Sequence, residues 1–457
     1  MSRFTPTRRG FLVGSSAVAA GIAGTRFSNL VFAEPGQTVN DELLVVVFLR
    51  GGMDGLNLVP PIAGPDRGLY EAARPDLAVP LTGDNASLDL DGAFGLNPNA
   101  APLYELYQNG NLAIVQAAGL GEANRSHFDS MEFIERGTPG NRLTRTGWLA
   151  RHLASADNLP AEIVMPSISV GSTQATSLLG DHNTINLSDP NQFNLRVGPW
   201  QWQYAQRVAL RHLYSDDDTW MHQGGLQALD AVDIVELNTS GSYEPSNGAE
   251  YPSGSFGRHL QVVAQMTKLG LGLRIATVDL SGWDTHEGQG YEGQGYFGSR
   301  ISELAQGLHA LYTDLDGTGG DNHTDRLTLV VQSEFGRRLR GNADQGTDHG
   351  HGNAMLVLGG HVNGGIHGEW PGLANEQLYD GADLAVTTDF RRILSEILIR
   401  RLANNRLGVI FPGYSDYEPL GVVQGTDIPP DYSSEDDNLF TEDFESSGLT
   451  AWSEVQT

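Results

Sequence analysis

The chain has 457 residues, no cysteine, and 28 basic against 56 acidic residues, a formal net charge of −28. So negative a balance disfavours nucleic acid and acidic membrane surfaces, whose phosphates need Lys and Arg. Without cysteine there are no disulfides, no thiolate nucleophile and no Cys-ligated zinc or iron–sulfur centre, so any catalysis must use hydroxyls, carboxylates, imidazoles or a metal held by oxygen and nitrogen.

Residues 1–33 read as a twin-arginine signal peptide. A basic start ends in Thr7-Arg8-Arg9-Gly10-Phe11-Leu12, residues 13–24 are mildly apolar, and Val31-Phe32-Ala33 offers a cleavage site. A permanent span needs about 20 strongly apolar residues, more than this stretch supplies. The mature chain is therefore expected to lie in the periplasm or beyond, without a stable membrane span, after meeting the twin-arginine export machinery.

From residue 40 a pattern recurs: a short, fully apolar run stops at a glycine-rich or polar loop. The runs are 43–49, 112–118, 163–170, 273–280, 327–332 and 355–358. Runs without alternation suit strands buried on both faces, as in a parallel sheet covered by helices. Between them, Ser126 can cap a helix over 127–136, 3.6-residue spacing marks 256–269 and 299–315, and Asp389 can cap 390–402. The expected fold is an α/β three-layer sandwich with a largely parallel central sheet over 40–415, carrying a helical insertion around 195–255. No Lys or Arg follows residue 406, and 426–457 holds nine acidic residues, which predicts a disordered acidic tail.

In such sheets functional residues gather beyond the carboxyl ends of the strands, and four unusual clusters lie there. Asp284 and His286 follow the 273–280 run and project to one side if the segment is extended, so both can reach one cation; taken alone, the pair is better explained by Asp capping a turn and His bonded to a loop carbonyl. Gly346-Thr347-Asp348-His349-Gly350-His351-Gly352 packs one carboxylate and two imidazoles into a bendable loop that suits a metal or phosphate site, or a structural turn network. Ser333-Glu334-Phe335-Gly336-Arg337 supplies a carboxylate and a guanidinium; Arg337 can hold an anionic ester bidentately or pair with Glu334. Asn124-Arg125-Ser126-His127 sets a hydroxyl at a helix N-terminus, where it can act as nucleophile or merely cap the helix.

Taken together, Arg50-Gly51-Gly52-Met53-Asp54-Gly55-Leu56-Asn57, Arg125-Ser126-His127-Phe128, Gly282-Trp283-Asp284-Thr285-His286, Ser333-Glu334-Phe335-Gly336-Arg337, Gly346-Thr347-Asp348-His349-Gly350 and Trp370-Pro371-Gly372-Leu373 resemble the exported bacterial family named domain of unknown function 1501. That family is related to the alkaline phosphatase-like superfamily of phosphatases, sulfatases and phosphoglycerate mutases. The resemblance implies a metal site with Asp284 and His286 among its ligands, Ser126 as nucleophile, and Arg125 and Arg337 on the anionic ester. A metal-binding Asp should end the first strand; Arg50 stands there instead, and the nearest carboxylate is Asp54.

The superfamily's Asp-His-Gly maps either on Asp348-His349-Gly350 or on Glu334-Phe335-Gly336, with His349 or His351 then the final ligand. The second mapping fits the strand positions better and puts Phe335 in a ligand's place. The implied cofactor is a divalent metal: Zn²⁺ or Mn²⁺ for mixed donors, Mg²⁺ or Ca²⁺ for a carboxylate-dominated set. The implied activity is hydrolysis of phosphate or sulfate esters. The alternative is a degenerate protein that binds a periplasmic partner on the same fold without turnover. No dinucleotide fingerprint follows any of the runs.

Overall fold

The computed structural model describes residues 40–122, 124–159, 165–195, 198–217, 219–239 and 241–434. The expected twin-arginine signal peptide, residues 1–33, lies outside the described residues. Apart from a short antiparallel pair, Leu88–Asp89 with Gly95–Leu96, the strands in chain order are β1 (Leu43–Arg50), β2 (Leu112–Gly119), β3 (Ser167–Val170), β4 (Ile185–Asn186), β5 (Ile275–Ser281) and β6 (Leu327–Ser333). A separate two-stranded ribbon of β7 (Arg337–Gly341) and β8 (Thr347–His349) follows, then β9 (Asn353–Gly359), β10 (Gly365–His367) and β11 (Thr388–Asp389). The main helices are α1 (Gly64–Ala73), α2 (Ala101–Gln108), α3 (His127–Arg136), α4 (Trp148–Ser155), α5 (Gln203–Tyr214), α6 (Trp220–Asn238), α7 (Ser255–Lys268), α8 (Tyr296–Leu315) and α9 (Phe390–Arg400).

Nine strands form one sheet in the order β10-β2-β9-β6-β1-β5-β3-β4, with β11 also paired to β2. All pairings are parallel except those of β9, which runs antiparallel to both β6 and β2. The period-2 geometry of β1 explains the layering. Leu43, Val45, Val47 and Leu49 pack with Phe256 and Leu260 of α7 and Leu304 and Leu308 of α8. Leu44, Val46 and Phe48 pack on the other face with Phe133 of α3, Trp148 of α4 and Ile393 and Ile397 of α9. A strand buried on both sides has no use for alternation, and the protein is a three-layer α/β sandwich with a mostly parallel sheet.

Three sequence boundaries move. Of the 163–170 run, residues 165–170 are described, and there the strand begins at Ser167, after Pro166, which has no N–H to give the ladder. The domain continues past residue 415: Val422 and Val423 are fully buried in the second core. Residues 426–434 form no helix or strand, yet they are tied to the domain, with Asp431 N–H donating to the Asn405 carbonyl and Gly408 N–H to the Asp431 carbonyl. The rest of the expected acidic tail, 435–457, lies outside the described residues. Within 195–255, α5 and α6 pair through Arg207 and Arg211 with Asp230, Asp233 and Glu236.

Candidate metal centre

The carboxyl ends of β1, β5 and β6 and the start of α3 meet at one edge of the sheet. Two glycines make the meeting possible. A Cβ on Gly51 would lie 2.4 Å from the Asp284 backbone nitrogen, and one on Gly52 would lie 2.4 Å from the Phe335 ring; both residues adopt positive φ. Arg50, at the end of β1, turns away from the site and forms ion pairs with Glu135 and Asp279.

His127 is the first residue of α3, fixed there because Ser126 caps the helix by accepting from the Asp129 N–H. Its Nδ1 lies 2.7 Å from Glu334 Oε1, a fully buried carboxylate that also accepts from the Gly51 N–H at 2.8 Å. An ionised carboxylate only accepts, so Nδ1 carries the proton and Nε2 keeps its lone pair. That Nε2 is buried, has no hydrogen-bond partner, and sits 3.4 Å from Asp284 Oδ2.

His349 ends β8 and repeats the arrangement. Its Nδ1 lies 2.8 Å from the Arg125 carbonyl, which can only accept, so its Nε2 is likewise a lone-pair donor, 3.3 Å from Asp284 Oδ1. His286 completes the pattern, with Nδ1 3.2 Å from Asp348 Oδ1 and Nε2 3.3 Å from Asp284 Oδ1. The Nε2 atoms of His286 and His349 face each other at 2.9 Å. These tautomers are assigned from the partners at Nδ1. Two facing lone pairs repel unless a cation or a proton lies between them.

The donor atoms of His127, Asp284 and His349 all lie within 4.8 Å of one another. The 3.3 and 3.4 Å contacts match the edge of a tetrahedron with bonds of about 2.0–2.1 Å, roughly 3.3 Å. Histidines oriented through Nδ1 by a carboxylate or carbonyl are the usual support of metal-ligating imidazoles. On geometry, tautomer and charge the residues fit a divalent cation.

Electrostatics agree. Partial burial works to raise Asp284, but the hydrogen bond and charge of Arg337, with His127 and His286, hold it below the usual carboxylate range. Asp348 is also lowered: burial opposes, and hydrogen bonds from Asn342 and His286 prevail. The Glu334 hydrogen bond raises His127 against its burial, whereas burial, reinforced by the charges of His127 and Arg337, lowers His349.

The structure thus brings together Asp284, His286, Asp348, His349 and Glu334 from the expected set, with Glu334 and Asp348 behind the imidazoles rather than beside Asp284. Four of the expected site residues play other parts. Arg337 is fully buried; it donates to the carbonyls of Gly51, Gly52, Trp283 and Thr347 and, at 2.7 Å, to Asp284 Oδ1, so it braces the site and presents nothing to an ester. The Arg125 guanidinium is held by Asp383. Asp54 is buried between Arg74 (2.7 Å) and Gln289 (2.6 Å), outside the cluster. His351 stacks on Tyr379, and burial, followed by the charge of Arg125, pushes it down to about 4. Phe335 stands as an apolar wall, its ring centroid 4.9 Å from that of His127 and 4.8 Å from that of His349.

His127 was not anticipated as a ligand. The signal available was its position: a histidine opening a helix that follows a central strand, inside a segment already notable for Ser126.

An α/β sandwich with a histidine–aspartate cluster at the carboxyl edge of its sheet is the class of protein defined by fold and site. Residues 106–400 match the family described as "Protein of unknown function (DUF1501)", and the chain belongs to that family. No curated protein matches it. Solved structures similar to the chain include Ps i-CgsB in complex with k-i-k-neocarrahexaose (9% identity, TM-score 0.37, covering 81% of this chain and 74% of that one). Another is a protein in the alkaline phosphatase superfamily from Vibrio parahaemolyticus (10%, TM-score 0.31, 77% and 69%). A third is the lipoteichoic acid synthase LtaP from Listeria monocytogenes (8%, TM-score 0.35, 92% and 84%).

Proposed function

We propose that the protein is an exported, metal-dependent hydrolase of phosphate or sulfate esters. The observation that carries this reading is the convergence of His127 Nε2, His349 Nε2 and the Asp284 carboxylate, with both imidazoles pinned through Nδ1. Bound there, Zn²⁺ or Mn²⁺ would supply Lewis-acid activation of an ester oxygen and of an attacking hydroxyl. Glu334 and the Arg125 carbonyl hold the protons on Nδ1 so that both Nε2 atoms stay free to donate. Arg337 keeps Asp284 ionised. Ser126, next to His127 at the head of α3, sets its hydroxyl at the positive end of the helix dipole, where an anionic group is favoured, and is the nucleophile on this reading. Export rests on residues 1–33; no helix among the described residues is long and apolar enough to cross a membrane.

A second reading, metal-dependent binding without turnover, is favoured by Phe335 in a ligand's place and by Asp54 committed to Arg74. Elemental analysis of the chain folded in the cell, for wild type and Asp284→Ala, together with aryl phosphate and aryl sulfate hydrolysis by wild type and Ser126→Ala, separates the two. Stoichiometric metal with Ser126-dependent hydrolysis is expected. Metal without hydrolysis above the Ser126→Ala background selects the binding reading, and absence of metal from wild type sinks both.

A further inference from the structure

β5 is unlike its neighbours. Ala276, Val278 and Leu280 pack into the first core, but the opposite face of the strand carries Thr277, Asp279 and Ser281, and the last two are exposed. Register sets Ser169 of β3 beside Thr277, and Phe48 and Arg50 of β1 beside Asp279 and Ser281. A polar stripe therefore crosses a face that is apolar elsewhere, at the carboxyl half of an interior strand. Helices bury the corresponding surface over β2, β6 and β9, whose residues are buried throughout. Exposing polar side chains in the middle of a sheet forgoes core packing, and a site is the usual reason.

Above this stripe lies a cleft of about 870 Å³, inside the range of roughly 300–1,000 Å³ typical of small-molecule sites. One wall is a single stripe of α3, Phe128, Met131, Glu132 and Glu135, spaced i, i+3, i+4 and i+7. The loop after β3, residues 171–176, forms another, rich in hydroxyls. The cleft starts beside the metal centre: Phe128 follows His127, and Ser281 ends the strand that delivers Asp284.

Its chemistry points to one class of ligand. Three arginines line it, and each is already neutralised inside it: Arg50 by Glu135 and Asp279, Arg136 by Glu132, Arg300 by Glu303. No guanidinium is left to hold a polyanion. The lining is more polar than apolar, its larger aliphatic members being Met131, Val170, Leu179 and Leu280, which suits an acyl chain poorly. What remains are hydroxyls, fixed ion pairs able to share hydrogen bonds, the buried and unpartnered Nδ1 of His259, and one aromatic ring, Phe128, 86% exposed at the rim. Polar groups spaced along a groove with a free ring at its mouth suit a polyhydroxylated ring that hydrogen-bonds by its edges and stacks by its C–H face.

We infer that this cleft binds a neutral saccharide, the alcohol part of the molecule processed at the histidine–aspartate cluster; the second half of that statement rests on the hydrolase reading. The test is binding of the fluorescently labelled full chain to an array of neutral and anionic oligosaccharides in the presence of a chelator, so that neither metal nor turnover is needed. Binding to neutral oligosaccharides is expected, weakened at least about tenfold by Ser281→Trp, which fills the cleft, and severalfold by Phe128→Ala, whose ring is already in solvent. Thermal melts of both variants, matched to wild type, exclude unfolding as the cause. Binding to no saccharide, binding confined to polyanionic chains, or binding indifferent to both substitutions overturns the inference. Saccharide binding without ester hydrolysis would leave the cleft assignment standing and remove only the hydrolase.

Discussion

Asp54 and Asp284 are two carboxylates just beyond the ends of neighbouring strands, and their surroundings have opposite designs. Asp54 is fully buried: Arg74 and Gln289 both take its Oδ2, its Oδ1 has no hydrogen-bond partner, and Gln289 in turn accepts from Thr285 and Thr347, the residues that precede His286 and Asp348. Asp284 is half exposed, shared by one arginine and within reach of three imidazoles. The first carboxylate is a foundation that fixes two loops; the second is left with capacity to bind. Similar placement after a strand thus decides little, and what decides is the surroundings: Asp54 is sealed from solvent beside an arginine and an amide, whereas Asp284 reaches solvent among imidazoles.

This contrast can be broken experimentally. The largest effect is expected from Arg74→Met, which strands a buried carboxylate and should cost about 3–5 kcal/mol in urea unfolding; a loss below about 1 kcal/mol would mean that Asp54 is not held as a buried charge. The same opposition of structural and binding groups holds among histidines. His152 is buried without a carboxylate partner, and burial lowers it to about 4. The unfolded chain takes up its proton near pH 6.5 and the folded one only near 4, so stability falls as pH drops through that window, by about 3 kcal/mol at pH 4. His152→Gln should flatten this part of the stability profile, and an unchanged profile would show that other groups govern it.

Asp284→Ala comes next, lowering metal affinity by more than about a hundredfold while costing less in unfolding under chelator than Arg74→Met, since Arg337 retains four carbonyl partners. Metal titration and chelated melts measure both halves. The smallest effect is expected from Glu334→Gln, which loosens the hold on His127 Nδ1 and should weaken metal binding by roughly tenfold. An effect as large as that of Asp284→Ala would put Glu334 itself on the metal.

Much of the frame was legible in the sequence because burial on both faces leaves an unmistakable apolar run: 43–49, 112–118 and 327–332 each become a strand within a residue or two. The helix at His127 was readable from its cap. The site was legible in its neighbourhoods more than in its roles. Arg337 reads as an anion holder because its partners are carbonyls of Gly51, Gly52, Trp283 and Thr347, and backbone acceptors leave no trace in residue identity. Asp54 reads as a ligand until Arg74 is seen beside it, 20 residues on. His349 and His351 are two residues apart, yet one faces Asp284 and the other Tyr379. His127 was passed over because the partner that orients it, Glu334, is 207 residues away.

The reversed direction of β9 has a consequence for how this edge of the molecule can vary. A parallel strand in that place would need a crossover of a dozen or more residues. It would also begin at the far end of the sheet, ~23 Å from the histidine–aspartate cluster for seven residues at ~3.3 Å each. Reversal lets the chain leave β6, make the β7–β8 ribbon and return to the sheet without crossing it. The ribbon is in effect a plug-in module: its length and sequence can drift between relatives without re-threading the core, provided that the residue at the position of His349 comes back to face the aspartate.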